Sequence, residues 1–435
     1  MTLALAAARQ GITSHVVDKA TPEQLTAEGA DGRASAISTA SWNLFANIGL
    51  ADRLAPLGCP IAAIAVTDQM KPGRIDFQPG AEDGSLGRMY ANRDIRTALF
   101  EAAKAEPAIA WHSGTEAVER ERGEHGVRAV LDNGEELTGS LLVAAEGRKS
   151  PTRDEAGLAT AKWDYHHRAI VTALYHEQSH ENVAWEIFYP AGPFALLPLL
   201  DDNGRHRSAL VWTVAEKDAA GVLAMPEALF LGEVHRHMGG MFGALELAAP
   251  RMSYPLNFHR APRIVEQRLA LIGDAAHGIH PIAGQGLNLG LRDVGALVEV
   301  LSDGMRLGLE PGDAQLLARY ERWRSVDSFS VGFATDAINR LFAIPGRLPS
   351  AVRRLGMGAV QRSGWLKRFF MDEARGMSGD LPALLRAETL ASAGLDAGGA
   401  PGPGCCTATP VASLSFSGSS RAAVSIRSSA FCEVA

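Results

Sequence analysis

The chain has 435 residues, 46% of them hydrophobic and 21% charged, an ordinary balance for a soluble globular protein with more than one core. A net charge of −7 argues against a nucleic-acid binder, and no apolar run reaches the roughly 18 to 20 residues that a spanning helix needs. Of the four cysteines, Cys405, Cys406 and Cys432 lie near the C-terminus; with neither C-x-x-C nor a zinc-type Cys/His pattern, no disulfide framework or metal site is expected, and a cytoplasmic location is.

Residues 3–10 read as a helix of good formers stopped at Gly11. Its apolar run, Leu3–Ala8, is short and lacks a basic flank, so it is not read as a secretory signal. ITSHVVD follows as a strand closed by Asp18. Helix, glycine, strand and acid make the second half of a βαβ unit; in dinucleotide folds the acid ending that strand bonds the adenosine ribose. The strand and glycine turn that open such a unit are missing ahead of the helix.

The glycine-rich EGADGRASAIS leads to a helix in SWNLFANIGLADRL, then to strands in IAAIAVTDQ and RIDFQP and a helix in YANRDIRTALFEAAKA. Residues 108–147 give three or four strands, with a hairpin signal at Asp132-Asn133-Gly134. From 167 to about 215 the pattern is strand-rich, which breaks the α/β alternation and predicts an inserted sheet domain over a pocket. RLALIGDAAH returns to a buried strand, and after Gly284 the chain reads as mainly helical to about residue 390. The Gly-, Ala- and Ser-rich stretch 391–435 has no sustained periodicity and reads as disordered.

The sharpest motif is Leu271-Ile272-Gly273-Asp274-Ala275-Ala276-His277, continuing through His280-Pro281-Ile282-Ala283-Gly284-Gln285-Gly286-Leu287-Asn288. A buried strand ends in Gly-Asp, which puts a carboxylate at its carboxyl end, where cofactors sit in open α/β sheets. Gly284-Gln285-Gly286 lets backbone approach a ligand closely, and the helix that follows offers free N–H groups and a dipole to an anion. The H-x-x-H spacing of His277 and His280 lacks further ligands, so turn packing or a bond beside a cofactor is the preferred reading over a metal.

GDAAHxxxPxxGQGxN resembles the flavin-binding signature of FAD monooxygenases of the para-hydroxybenzoate hydroxylase type, and AAHxxHPIAGQGLNLGLRD is similar to their ubiquinone-biosynthesis branch. Asp31–Ser38, Ala145–Arg153 and Gly192–Leu199 resemble, in the same order, three further family segments, so the likeness runs from residue 3 to about 390. It implies an α/β fold: a Rossmann-like FAD-binding domain over 1–162 and 261–310, lacking its first strand and glycine loop. An inserted, mainly β substrate domain would span 163–260, with a helical region over 311–390.

For cofactor binding the resemblance implies Asp18 at the ribose, Arg33 and Arg93 near the FAD, Val118 near the adenine and Asp274 at ribityl or ribose hydroxyls. Pro281, Gly284, Gln285, Gly286, Leu287 and Asn288 would line the flavin. Glu146, Gly147 and Arg153 match the fingerprint associated with FAD and NAD(P)H, although many members have Asp where this chain has Glu146. The implied reaction is ring hydroxylation of a polyprenylated phenol in ubiquinone biosynthesis, with NAD(P)H, O2 and a C4a-hydroperoxyflavin. No catalytic triad is expected, because the cofactor carries the chemistry; His280 is the candidate base. A soluble aromatic substrate, or a truncated relative without activity, remain the alternatives.

The window Arg340–Phe370 holds seven basic residues and no acidic one, interleaved with Leu, Met, Trp and Phe. It reads either as a helical cap or as a surface for the inner face of a membrane, or for a ubiquinone-biosynthesis complex.

Overall fold

The computed structural model describes residues 1–27, 33–70, 73–80, 84–278, 285–325, 362–387 and 423–428. Its first sheet is built around β1 (Thr13–Asp18), whose Val16 and Val17 are buried. The helix before it, α1 (Thr2–Ala8), is buried along almost its whole length, as an all-apolar helix must be. It packs between β1 and the long helix α5 (Gln285–Arg306).

Beside β1 lie β7 (Ile109–Ser113) on one edge and, two places inward, β11 (Leu141–Ala145), all five of whose residues are buried. β19 (Leu269–Leu271) follows β11, and β18 (Val265–Glu266) closes that edge as an antiparallel hairpin partner. Near-continuous apolar strands are what a parallel sheet covered on both faces requires.

The slot between β1 and β11 is filled by β21 (Ala423–Ser428), parallel to both. Thr13 to Val17 pair with Ala423 to Arg427, and Leu141 to Ala145 with Val424 to Ser428. This corrects the reading of 391–435 as wholly disordered. An inner slot in a parallel sheet leaves rows of backbone N–H and C=O groups on both sides, and a segment that supplies the matching row is held there by the ladder.

The second sheet is the large one. Its order is β20 (His277–Gly278), β17 (Met252–Arg260), β12 (Ala161–His176), β15 (Arg205–Ala215), β14 (Gly192–Asp202), β13 (Val183–Tyr189), β4 (Ala63–Asp68) and β5 (Arg74–Phe77), with β16 (Leu245–Leu247) on β12. The sheet therefore takes in residues 63–77 as well as the contiguous stretch read from sequence. β4 joins β13 in parallel, a long-range pairing that no local pattern announces.

One face of this sheet is covered by α3 (Glu216–Ala224) and α4 (Glu227–His237), where Ile187, Phe194, Leu210, Trp212, Phe230 and Val234 form a core. The other face turns toward β2 (Ala34–Ser38), β3 (Cys59–Pro60) and β6 (Gly87–Ala91) of a small antiparallel sheet, through Ala173, Ala184, Leu199 and Ala209. A further meander, β8 (Ala117–Arg122), β9 (Val127–Leu131) and β10 (Glu136–Gly139), carries the Asn-Gly hairpin, with Gly134 at φ +84°. Helix α2 (Asn92–Ala105) presents Ile95, Leu99 and Ala103 to the core at helical spacing.

Candidate functional site

The parallel strands β1, β11, β19 and β7 end on one edge of the first sheet, the position where open α/β sheets take ligands. Asp18 sits at the carboxyl end of β1, 5% exposed, with Oδ1 accepting the Ala20 N–H at 2.9 Å. Asp274 follows β19 in a short turn, Gly273–Ala275, and is equally buried. Arg148, from the loop after β11, donates its Nε–H to Asp274 Oδ2 at 3.0 Å and also reaches Asn257. The sequence motifs around 148 and 274 thus meet as an ion pair, which their separate readings did not foresee.

The Asp274 carbonyl accepts from His259 Nε2–H at 2.6 Å. Burial drives the His259 imidazole down to about 4, and neighbouring Arg148 and Arg153 push the same way, so the ring stays neutral. Gly273 has φ +57°, and a methyl group added at Gly290 would stand 3.2 Å from the Gly273 Cα. Turn and helix approach as closely as backbone permits, as strand–helix contacts at dinucleotide sites do.

Asp293, one turn further along α5 and fully buried, holds this turn in place. Its Oδ2 accepts from Gly273 N–H at 2.8 Å and from His277 Nε2–H at 2.7 Å, and its Oδ1 from Arg324 Nε–H at 2.6 Å. Burial alone would raise this carboxyl; His277, Arg324 and their hydrogen bonds outweigh it and hold it below the usual range. His277 is thereby committed to the Asp293 carboxylate. Tyr320 adds an O–H bond to the Leu271 carbonyl at 2.9 Å.

At the start of α5, Asn288 reaches across to β2: its Oδ1 accepts from Ser38 N–H at 3.0 Å and its Nδ2 donates to the Ala36 carbonyl at 2.8 Å. Gly286 and Leu287 precede it half-buried, Gln285 is the first helical residue, and Pro281, Gly284 and His280 fall outside the described residues. Arg33, 5% exposed, enters β2 with its guanidinium 5.1 Å from the centre of the Tyr254 ring on β17. Arg93 is half-buried, with Nε donating to the Thr26 carbonyl at 3.3 Å.

The remaining candidates lie elsewhere or have other partners. Glu146 accepts from Ser150 Oγ, from Thr152 N–H at 3.2 Å and from Thr152 Oγ1 at 2.7 Å, so it caps the short helix Pro151–Glu155. Gly147 supplies φ +79° just before it, and the wholly buried Arg153 donates to the Ala275 carbonyl at 3.2 Å. Val118 is 53% exposed on β8, a rim position.

Sequence reasoning missed Glu186 on β13. It is 9% exposed, and burial alone pushes its carboxyl up to about 7. Because the folded pKa lies above the unfolded value near 4.5, the stability tied to the protonated group is complete below pH 4.5 and is lost as pH rises to about 7. Urea titrations should show wild type losing about 3 kcal/mol relative to Glu186→Gln across that window. Parallel curves for the two proteins would refute the shift.

The donor set suits an FAD: buried carboxylates for sugar hydroxyls, a helix start for an anionic ring edge, and arginines nearby for phosphate. The comparisons agree. The chain is 41% identical to the ubiquinone hydroxylase UbiL of Rhodospirillum rubrum, over 89% of this chain and 90% of that protein. It is 31% identical to the 3-demethoxyubiquinol 3-hydroxylase of Escherichia coli, over 86% and 95% of the two chains. Among solved structures it is similar in fold to the p-nitrophenol 4-monooxygenase PnpA of Pseudomonas putida, with a TM-score of 0.71 at 16% identity, covering 87% of this chain and 96% of that one. The FAD binding domain family matches residues 1–327, three-quarters of the sequence, and the chain belongs to that family of flavin-dependent monooxygenases.

Proposed function

We propose that this chain hydroxylates the aromatic ring of a polyprenylated phenol in ubiquinone biosynthesis, with FAD, NAD(P)H and O2. The observation that carries the reading is the similarity, over most of the chain, to a ubiquinone hydroxylase and a 3-demethoxyubiquinol 3-hydroxylase, in a chain whose buried acids stand at the cofactor edge of its sheet. Bound FAD would supply the redox chemistry, using the two electrons of NAD(P)H to reduce one atom of O2 to water while the other enters the ring. The protein's part is to bind, orient and keep out water. Asp18 and Asp274 accept hydroxyl hydrogens of the cofactor, and Arg148 and Asp293 fix Asp274 and its turn. Asn288 ties β2 to the helix start, and the large sheet covers the ring.

Helix α6 (Gly364–Ala374) supports contact with an anionic membrane where such a substrate resides. Its inner side reaches the large sheet through Met371 and a Phe370–Phe77 ring contact at 6.2 Å. Trp365, Arg368 and Phe369 share the outer face, the two aromatics 67% and 52% exposed, with Arg362 before them and Asp372 beyond. Exposed aromatics beside cations are what an interfacial helix uses. No described helix is long and apolar enough to cross a membrane. The basic residues from Arg340 to Arg354 fall outside the described residues.

The purified chain mixed with FAD should keep a yellow chromophore through gel filtration and hydroxylate a prenylated phenol with NAD(P)H. It should also sediment with anionic vesicles, several-fold less after Trp365→Ala with Phe369→Ala. Turnover of a soluble phenol with no vesicle binding would favour a soluble aromatic substrate instead, and no retained flavin would sink the enzyme reading.

A further inference from the structure

Side chains on β13 alternate strictly. Trp185, Ile187 and Tyr189 join the core under α3 and α4, so Ala184, Glu186 and Phe188 point to the opposite face. Ala184 belongs there to the cluster that includes Ala34, Ala36, Cys59 and Met89, the elements on the flavin side of the sheet.

Glu186 has Ala195 and Val66 as its register neighbours. Beyond Ala195 the row continues through Val211 to Val171. The floor around the carboxyl is thus made of short apolar side chains, which themselves offer it no hydrogen-bond partner. Toward one side of this face stands Tyr254, the residue that Arg33 covers from the flavin-side segment.

In this setting Glu186 makes no hydrogen bond or ion pair with any described residue. A carboxyl held nine-tenths buried with no partner among the described residues is a cost to folding, and on the face turned toward β2 and Arg33 such a group can meet its partner in a bound substrate.

We infer that Glu186 accepts the hydroxyl hydrogen of the phenol laid on this floor, and so selects a free phenol and raises the electron density of its ring. The inference rests on the substrate class proposed above. In the step, the phenol O–H bond breaks and the proton forms a new O–H bond on a Glu186 oxygen. The electron pair stays on the phenolate oxygen and spreads to the ortho and para ring carbons, the positions that an electrophilic oxygen attacks. The proton leaves to water with the product, which restores the carboxylate. Such proton transfer contributes about 10²-fold or more to a rate.

The test compares binding of a phenol bearing a short prenyl chain with binding of its O-methyl ether, by quenching of tryptophan fluorescence in the FAD-loaded protein. Wild type should prefer the phenol by about tenfold once pH exceeds 7, and less below it. Glu186→Gln keeps an acceptor but cannot titrate, so its preference should be flat with pH. Glu186→Leu, an apolar replacement on an apolar floor, should show none. The Gln variant should also lose the acid limb of the kcat profile, with kcat about 10²-fold lower.

Persistence of the pH-dependent preference in Glu186→Gln, or of any preference in Glu186→Leu, would overturn the assignment. Equal binding of phenol and ether by wild type would overturn it too, while leaving the substrate class intact. Failure of wild type to bind either compound would instead remove the substrate reading on which the assignment stands.

Discussion

Replacing Asp293 by alanine is expected to lower the stability of the protein by about 3–5 kcal/mol, the range for breaking a buried ion pair on one side. Three donors lose their acceptor together: Arg324 Nε, His277 Nε2 and the Gly273 amide. Arg324 is wholly buried, so its charge loses the carboxylate that its Nε–H meets. The Asp293→Leu, Arg324→Leu double variant should recover part of the loss, because removing both charges also removes the desolvation cost. Denaturant titration of the three proteins gives the values. Flavin retention should fall in Asp293→Ala even where it is folded, since the Gly273 turn carries Asp274. A loss below about 1 kcal/mol would mean the triad is not what holds the turn.

Removal of residues 421–435 is expected to abolish the cooperative unfolding transition and drive the protein into aggregates. The first sheet would lose β21, and with it the ladders on the facing sides of β1 and β11. Two inner strands would become open edges with apolar faces, the template for association between chains. Circular dichroism melts and the soluble yield of the shortened chain measure this. An unchanged melting midpoint would show that the sheet stands without its inner strand.

The parts legible in the sequence were those governed by local pattern. A helix stopped by glycine, a strand ending in Asp18 and a buried strand ending in Gly-Asp each write their identity within a dozen residues. The Asn-Gly hairpin did so as well. What escaped was set by pairing across the chain. Arg148 and Asp274 lie 126 positions apart, and Asn288 and the Ser38 amide 250. Glu186 looked like any polar residue in a strand, because its burial depends on strands β4 and β14 beside it and on the elements facing them. The bonds that Glu146 accepts from Ser150 and Thr152 were likewise not announced by the motif that drew attention to it. β21 was hidden by its surroundings, where Ala423-Val424-Ser425-Ile426 alternates for too few residues to stand out in a small-residue stretch.

The position of β21 also dictates an order of assembly. Its partners in β1 are about 410 residues away along the chain, near the largest separation this sequence permits. At about 5–20 residues per second, the ribosome delivers this strand tens of seconds after β1 has emerged. Through that interval the halves of the first sheet cannot zip together, and the large sheet, whose strands are all made by residue 278, has time to form first. Completion of the nucleotide-binding edge is therefore a late event in folding, which waits until β21 has emerged. Cofactor capture should follow the emergence of β21, with a lag set by closure of that long loop.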